Sequence, residues 1–269
     1  MITLFQITGS SSFAARAALE AAGAQYEVVN VHPRRREEAP GFRETNPLMR
    51  VPAVHEGDVR VYETGAVLLW IAERFPEAGL APAPGTPAHA AHLRWVVWIA
   101  NTLHPSWWPV MVPCFITDDE AAWPSIRARG LEAIAGHGAY IESQLEGGEW
   151  LAGDAMGVSD IYLYMLLGWV NYEDDLTLGG PLLAAHYARV GATPGVTRAR
   201  ALDDLDERLM RLHPDLRGGQ PLEGRMSGSW IAHALGDEAC HPARERTAEG
   251  LWAELAVEHP QTGTGDGGP

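Results

Sequence analysis

Alternation opens the chain. Ile2, Leu4 and Gln6 share one face of a short run, and then Gly9 and three serines break the pattern before an alanine-rich stretch begins. Period two giving way to helical spacing predicts a strand, a turn and a helix within about twenty residues. A second β-rich run, Tyr26 to Val31, follows at the spacing of a right-handed β-α-β crossover, so the two strands are expected to lie parallel. Beyond an irregular segment, Ala53 to His55 and Val59 to Tyr62 flank Glu56, Gly57 and Asp58 as the arms of a hairpin. Val67, Leu68, Ile71 and Phe75 then recur at helical spacing behind Thr64, a residue suited to the N-cap.

Glu77 to Pro87 is rich in Pro, Ala and Gly and carries no periodicity, the composition of a linker. It divides the chain into 1–78, a linker 79–87, a helical part 88–212 and an atypical extension 213–269. The helical part shows apolar periodicity over 88–104, 119–146, 158–171, 180–190 and 197–212. Gly136 and Gly138 each cost about 1 kcal/mol relative to alanine inside a helix, which predicts a kink or a close backbone approach. After His213 the pattern fades, apart from a short helical run over Ala243 to Ala256, and the closing QTGTGDGGP has a disordered composition. The fold class expected is α/β plus all-α: a βαβ-ββα domain followed by helices.

Composition narrows the partners. At 46% hydrophobic and 20% charged the chain reads as globular, and a formal net charge of -15 opposes binding to nucleic acid or an anionic membrane. The run Arg34, Arg35 and Arg36 is too short for a nucleic-acid patch and reads as a solvated loop, although a pocket for a small anion stays open. Residues 93 to 116 are apolar, but Asn101, His104, Pro105, Pro109 and Pro113 interrupt them, which fits a buried helix with a broken end. Two cysteines, Cys114 and Cys240, can build neither a disulfide framework nor a zinc site of paired thiolates. That count fits a reducing cytoplasm, and the opening MITLFQITGS lacks the pattern of a secretory signal.

Four motifs stand in order: Gly9-Ser10-Ser11-Ser12; Asn46-Pro47-Leu48-Met49-Arg50-Val51-Pro52-Ala53-Val54; Tyr62-Glu63-Thr64; and Gly148-Glu149-Trp150-Leu151-Ala152-Gly153-Asp154 leading to Ser159-Asp160-Ile161-Tyr162. Together, over about residues 2 to 212, they resemble the cytosolic glutathione transferases, with bacterial beta-, theta- and zeta-like traits and serine in place of the beta-type cysteine. The resemblance implies a thioredoxin-like domain that binds glutathione, followed by a helical domain that shapes the second-substrate pocket. It also implies a cytoplasmic homodimer acting in detoxification, with glutathione as co-substrate and no metal.

The residues carry this chemistry as follows. A cis peptide at Val51-Pro52 would leave the Val51 carbonyl and N–H facing outward, and in the family the cysteinyl backbone of glutathione pairs there. Glu63 and Thr64 begin a helix, whose free N–H groups favour an anion; by resemblance Glu63 takes the γ-glutamyl ammonium and Thr64 its carboxylate. A thiol of pKa roughly 8.5 is mostly protonated at neutral pH, so the site must favour the thiolate, and a hydroxyl at a helix N-terminus does so without ionising. In a beta- or theta-like register that hydroxyl is Ser11, in a zeta-like register Ser10, and Ser11 is preferred. No cysteine lies in this turn, which disfavours glutaredoxin-like exchange.

By the same resemblance His104 matches a histidine that reaches the cysteinyl part of glutathione, the alternative being a structural histidine. Arg35 aligns with a cation for the glycyl carboxylate, with Arg34 and Arg50 nearby, and Asp160 matches a folding residue and reads as a helix cap. Trp95, Trp98, Trp107, Trp108 and Met111 supply large apolar groups for the second substrate, unless they serve the core or a dimer interface; Trp107, Trp108 and Met111 are placed in the pocket. Met49 stands where relatives often have glycine, Thr64 where serine is commoner, and Gly157 where Ser or Thr usually caps a helix.

The expected activity is attack of the activated thiol on a small apolar electrophile. An isomerase or thioether-cleaving lyase would share that first step, and a non-catalytic dimeric scaffold is the alternative of another class.

Overall fold

The computed structural model of this protein describes residues 1–33, 35–169 and 178–212. The opening alternation becomes β1 (Ile2–Gln6), but every one of its residues is buried. Its position explains this: β2 (Tyr26–Asn30) pairs parallel on one side, β3 (Ala53–Glu56) pairs antiparallel on the other, and β4 (Val59–Tyr62) extends the sheet in the order β2-β1-β3-β4. A central strand covered on both faces needs no polar side. Ile2, Leu4 and Val54 join a core with α1 (Ser12–Ala21) and α3 (Thr64–Arg74), while Phe5 and Ala53 pack with Val31 and Phe42 on the opposite face. Phe42 belongs to a short α2 (Phe42–Thr45), and its ring stacks on Phe5 at 5.2 Å. This is a thioredoxin-like domain.

A single turn, Pro76–Ala78, precedes the linker, which ends where Thr86 caps α4 (Pro87–Trp98), its hydroxyl accepting from the His89 N–H at 3.1 Å. Helix α4 runs into a π turn, Ile99–Leu103, whose wide spacing lets the His104 N–H donate to the Ile99 carbonyl at 2.8 Å. The prolines then act as expected: Pro105–Trp107, α5 (Trp108–Met111) and Pro113–Phe115 are short turns. Among the described residues no helix is long and apolar enough to cross a membrane.

The remaining helices are α6 (Trp123–Gln144), α7 (Val158–Gly168), α8 (Pro181–Gly191) and α9 (Pro194–Leu212). Of the two glycines singled out in α6, Gly138 is the point of close approach. A Cβ there would lie 2.8 Å from the Gly179 nitrogen and 2.9 Å from Leu178 Cγ, whereas Gly136 meets nothing within 4 Å. Helix α7 is buried from Val158 to Leu167, and apart from Ser159, Asp160 and two tyrosine hydroxyls it is apolar.

The first turn of α7 is held by Asp160, which is fully buried. Its Oδ1 accepts from the Leu151 N–H at 2.9 Å and from His186 Nε2 at 2.7 Å, and its Oδ2 accepts from the Gly157 N–H at 2.8 Å. Gly157 is small for a reason: a Cβ there would sit 3.1 Å from the Leu80 carbonyl and 3.3 Å from buried His92. One apolar core runs from Leu4 and Leu68 through Trp95 to Tyr162 and Val196, so the two domains are packed as a unit. Arg16 of α1 and Asp203 of α9 form a buried ion pair at 2.9 Å across that junction. The extension 213–269, with Cys240 and the run Ala243 to Ala256, lies outside the described residues, as do Arg34 and the expected end of the 158–171 helix.

Candidate functional site

Between the sheet domain and the helical domain lies a cleft of about 520 Å³. Its first wall is the turn after β1. There Ser10 and Ser12 are committed to local structure: Ser10 Oγ donates to the Ile7 carbonyl at 2.6 Å, Ser12 Oγ accepts from the Ile7 N–H at 3.1 Å, and the two hydroxyls lie 2.8 Å apart. Ser11 occupies the N-cap position of α1 but makes no cap bond; its Oγ donates across the cleft to the Val51 carbonyl. At 3.2 Å this is long for a hydroxyl bond, so little is lost when it is redirected.

Val51 and Pro52 form the adjoining edge, joined by a cis peptide, and both line the cleft. Asn46 shapes the approach: its Nδ2 donates to the Arg50 carbonyl at 2.7 Å and its Oδ1 accepts from the Leu48 N–H at 3.0 Å. Met49 in this loop has φ +55°, the left-handed region, which costs a non-glycine residue roughly 1–2 kcal/mol and explains why glycine suits the position.

Thr64 is the first residue inside α3, not its N-cap; Glu63 takes the N-cap place. Glu63 has φ +71° and ψ +124°, a conformation costing on the order of 1–3 kcal/mol and kept only where the surroundings impose it. The Val67 N–H is the first to find a helical partner, the Glu63 carbonyl, so the N–H groups of Thr64, Gly65 and Ala66 stand at the open end of α3 beside the cleft.

The cations differ from expectation. Arg35 is not in the cleft wall; it reaches Glu38 at 3.2 Å on the outside. Arg36 turns inward, its Nε donating to the Pro33 carbonyl at 2.9 Å and its Nη1 to the Met49 carbonyl at 2.8 Å. Burial and the neighbouring Arg50 lower the pKa of Arg36, the mark of two like charges facing one space. Arg50 also lines the cleft, its Cζ 6.0 Å from the ring centre of Trp108.

From the helical side come His104, Trp107, Trp108 and Met111. Trp95 is core, and Trp98 packs on Tyr140 and His137 away from the cleft. Tyr162 and Trp169 also face it, though nothing along the chain singles either out as a site residue. His104 is wedged between them, with ring centres at 5.9 and 5.3 Å, and its Nδ1 lies 2.8 Å from the Tyr162 hydroxyl. Burial pushes the His104 pKa down to about 4 and pushes that of Tyr162 up, so at neutral pH the imidazole is uncharged and the phenol keeps its proton.

This has a consequence for stability. The folded-state pKa of His104 lies below the unfolded value near 6.5, so its contribution is fully present above pH 6.5 and is lost as pH falls toward 4. The gap corresponds to on the order of 3 kcal/mol. Urea midpoints measured between pH 7.5 and 4.5 are expected to fall, and to fall less in His104→Gln, which cannot titrate. An identical fall in both proteins would show that His104 does not contribute.

A sphingomonad glutathione S-transferase solved in complex with glutathione is 31% identical and superposes with a TM-score of 0.65, covering 76% of this chain and 99% of that one. This chain belongs to the glutathione S-transferase family. Residues 1–73 match the family model described as the glutathione S-transferase N-terminal domain. Glutathione S-transferase GstA of Escherichia coli O157:H7 is 26% identical over 206 residues, 75% of this chain and 98% of the relative. A beta class glutathione S-transferase of Sphingomonas chungbukensis is 28% identical with a TM-score of 0.65, over 76% of this chain and 99% of its own. Membership puts the cleft at the junction of the glutathione S-transferase N-terminal domain and the helical domain behind it.

Proposed function

We propose that this protein is a glutathione transferase that binds glutathione against the sheet domain, stabilises its thiolate through Ser11, and presents the sulfur to an apolar electrophile held by the helical domain. The observation that carries this is the sorting of one cleft into two halves. Charge and backbone groups lie on the sheet side, with Ser11, Val51, Glu63 and Thr64; large apolar rings lie on the helical side, with Trp107, Trp108 and Met111.

Each charge of the tripeptide has a counterpart. The γ-glutamyl ammonium meets Glu63, and its carboxylate meets the Thr64 hydroxyl and the unpaired N–H groups that open α3. The cysteinyl backbone pairs with Val51, displacing the long Ser11 bond, so that the Ser11 hydroxyl can turn to sulfur. The glycyl carboxylate falls to Arg36 and Arg50, whose mutual repulsion an anion relieves. His104 borders the sulfur side of the cleft as a neutral imidazole. The thiol proton leaves to solvent, and the thiolate forms a C–S bond as the electrophile expels its leaving group or takes the electron pair into a conjugated acceptor.

The working form is proposed to be a cytoplasmic homodimer acting in detoxification. Leu93 and Val97, one helical turn apart on α4 and 38% and 52% exposed, offer the apolar stripe that such an interface would bury. A purely structural scaffold would have no use for a pair of facing guanidinium groups at the mouth of an apolar cleft.

The test is retention on immobilised glutathione followed by turnover of an aryl halide such as dinitrochlorobenzene. Neither retention nor turnover would reject the reading. Among variants, Arg36→Ala is expected to raise KM for glutathione about tenfold through loss of a charge-assisted hydrogen bond, while Arg35→Ala leaves it within about twofold. The reverse order would restore Arg35 as the carboxylate ligand.

A further inference from the structure

His104 enters the cleft at the end of a widened turn. Its backbone N–H bonds the Ile99 carbonyl across the π turn, and its ring stands edge-on to Tyr162 and Trp169, at interplanar angles of 86° and 69°. A ring clamped in this way has two distinct nitrogens. Nδ1 lies 2.8 Å from the hydroxyl of Tyr162, a residue only 1% exposed. Nε2 has no hydrogen-bond partner among the described residues and is not sealed from solvent, so it faces the cleft that His104 lines. A neutral imidazole carries one ring proton, and the bond to Tyr162 decides which nitrogen holds it. A phenol O–H is a stronger donor than an imidazole N–H, and a bare imidazole nitrogen is a stronger acceptor than a phenol oxygen. The Tyr162 hydroxyl therefore donates to Nδ1, and the ring proton sits on Nε2.

We propose that Tyr162 is a positioning residue: its hydroxyl holds His104 in the Nε2–H tautomer, so that the helical domain offers a neutral N–H donor to the group bound in the cleft. On the transferase reading, on which this second half rests, that group is the glutathione sulfur. A donor there favours the thiolate, whereas the other tautomer would set a nitrogen lone pair against it. Because Nδ1 is occupied and Nε2 already carries its proton, His104 is no base for the thiol, whose proton goes to solvent. The donor persists through neutral and mildly acidic solution, since burial keeps the imidazole from charging until about pH 4. Tyr162→Phe keeps the ring that packs against His104 and frees the two tautomers to mix.

The tautomer can be read without any ligand. In protein carrying isotopically labelled histidine, long-range proton–nitrogen correlation spectra distinguish a protonated ring nitrogen from a bare one, and the His104 signals are those lost in His104→Gln. The wild-type protein should show bare Nδ1 and protonated Nε2, and Tyr162→Phe a mixture of both tautomers. Protonated Nδ1 in the wild-type protein, or an unchanged spectrum in folded Tyr162→Phe, would overturn the assignment. If the variant does not fold, a wild-type Nδ1 with the shift of a hydrogen-bonded acceptor supports it, and a protonated Nδ1 still overturns it. Titration of bound glutathione, followed at the thiolate band, tests the second half. Tyr162→Phe should raise the midpoint of the bound thiol by roughly half to one pH unit, and leave it unmoved in a His104→Gln background, whose amide N–H has no tautomer to lose. Equal shifts in the two backgrounds would show that Tyr162 does not act through His104. Failure of the wild-type protein to bind glutathione would instead reject the transferase reading, while the spectra would still decide the hold of Tyr162 on His104.

Discussion

Ser11→Ala is expected to bind glutathione nearly as well as the wild-type protein and to turn over about a hundredfold more slowly. Removal of one well-placed donor to a developing or resident anion typically costs 10²–10³ in kcat. No neighbouring hydroxyl is placed to substitute, because Ser10 and Ser12 are tied to Ile7 and to each other. Affinity should survive, because in the proposed binding mode Ser11 meets only the sulfur, while Glu63, Thr64, Val51 and the two arginines that line the cleft hold the tripeptide. The pH profile of kcat supplies the check: without the hydroxyl, its acidic limb should move up toward the free thiol pKa of roughly 8.5. A kcat within threefold of wild type would move the role to Ser10 or Ser12.

Asp160→Ala should be the most damaging change to stability away from the cleft, by about 3–5 kcal/mol. Three donors, the N–H groups of Leu151 and Gly157 and Nε2 of His186, converge on a carboxylate with no solvent exposure. Alanine leaves all three buried without an acceptor, and each such group costs about 1–3 kcal/mol. Against a typical total of 5–15 kcal/mol, that is enough to unfold much of the population at physiological temperature. Asp160→Asn should be milder, since one oxygen remains to accept, although its amide nitrogen must then face another donor. Urea unfolding of the three proteins provides the comparison, and a loss below 1 kcal/mol for alanine would mean that other contacts hold the start of α7.

The β-strands and long helices were legible from the spacing of apolar residues and the turn residues that bound them, even though β1 and α7 prove buried throughout. The strand, turn and helix at the start, the hairpin, and the five helical runs all appear near their expected bounds. What periodicity cannot express was missed or displaced. Helix α2 and the turns between Pro105 and Phe115 are each too short to show a period. Thr64 looked like an N-cap because its side chain suits one, but the cap place went to Glu63, whose positive φ is imposed by the tertiary setting.

The arginine run shows the same limit: in an irregular segment nothing along the chain says which way a side chain turns, and of the two described residues of the run Arg36 lines the cleft while Arg35 pairs with Glu38. Tyr162 stood in a recognised motif, yet within a largely apolar helix nothing along the chain marked it as a site residue. Only the tertiary packing places its hydroxyl against His104 at the cleft wall. Ser11 by contrast is preferred on the resemblance to beta- and theta-like members, and its side chain is left without a local cap bond.

The most direct measurement is an ultraviolet difference titration of glutathione into the protein, following the thiolate band as a function of pH. A saturable band with a midpoint well below the free value of roughly 8.5 is expected in the wild-type protein, and a midpoint returned close to that value in Ser11→Ala. Saturable binding with no thiolate band near neutral pH would contradict activation of the thiol in this cleft.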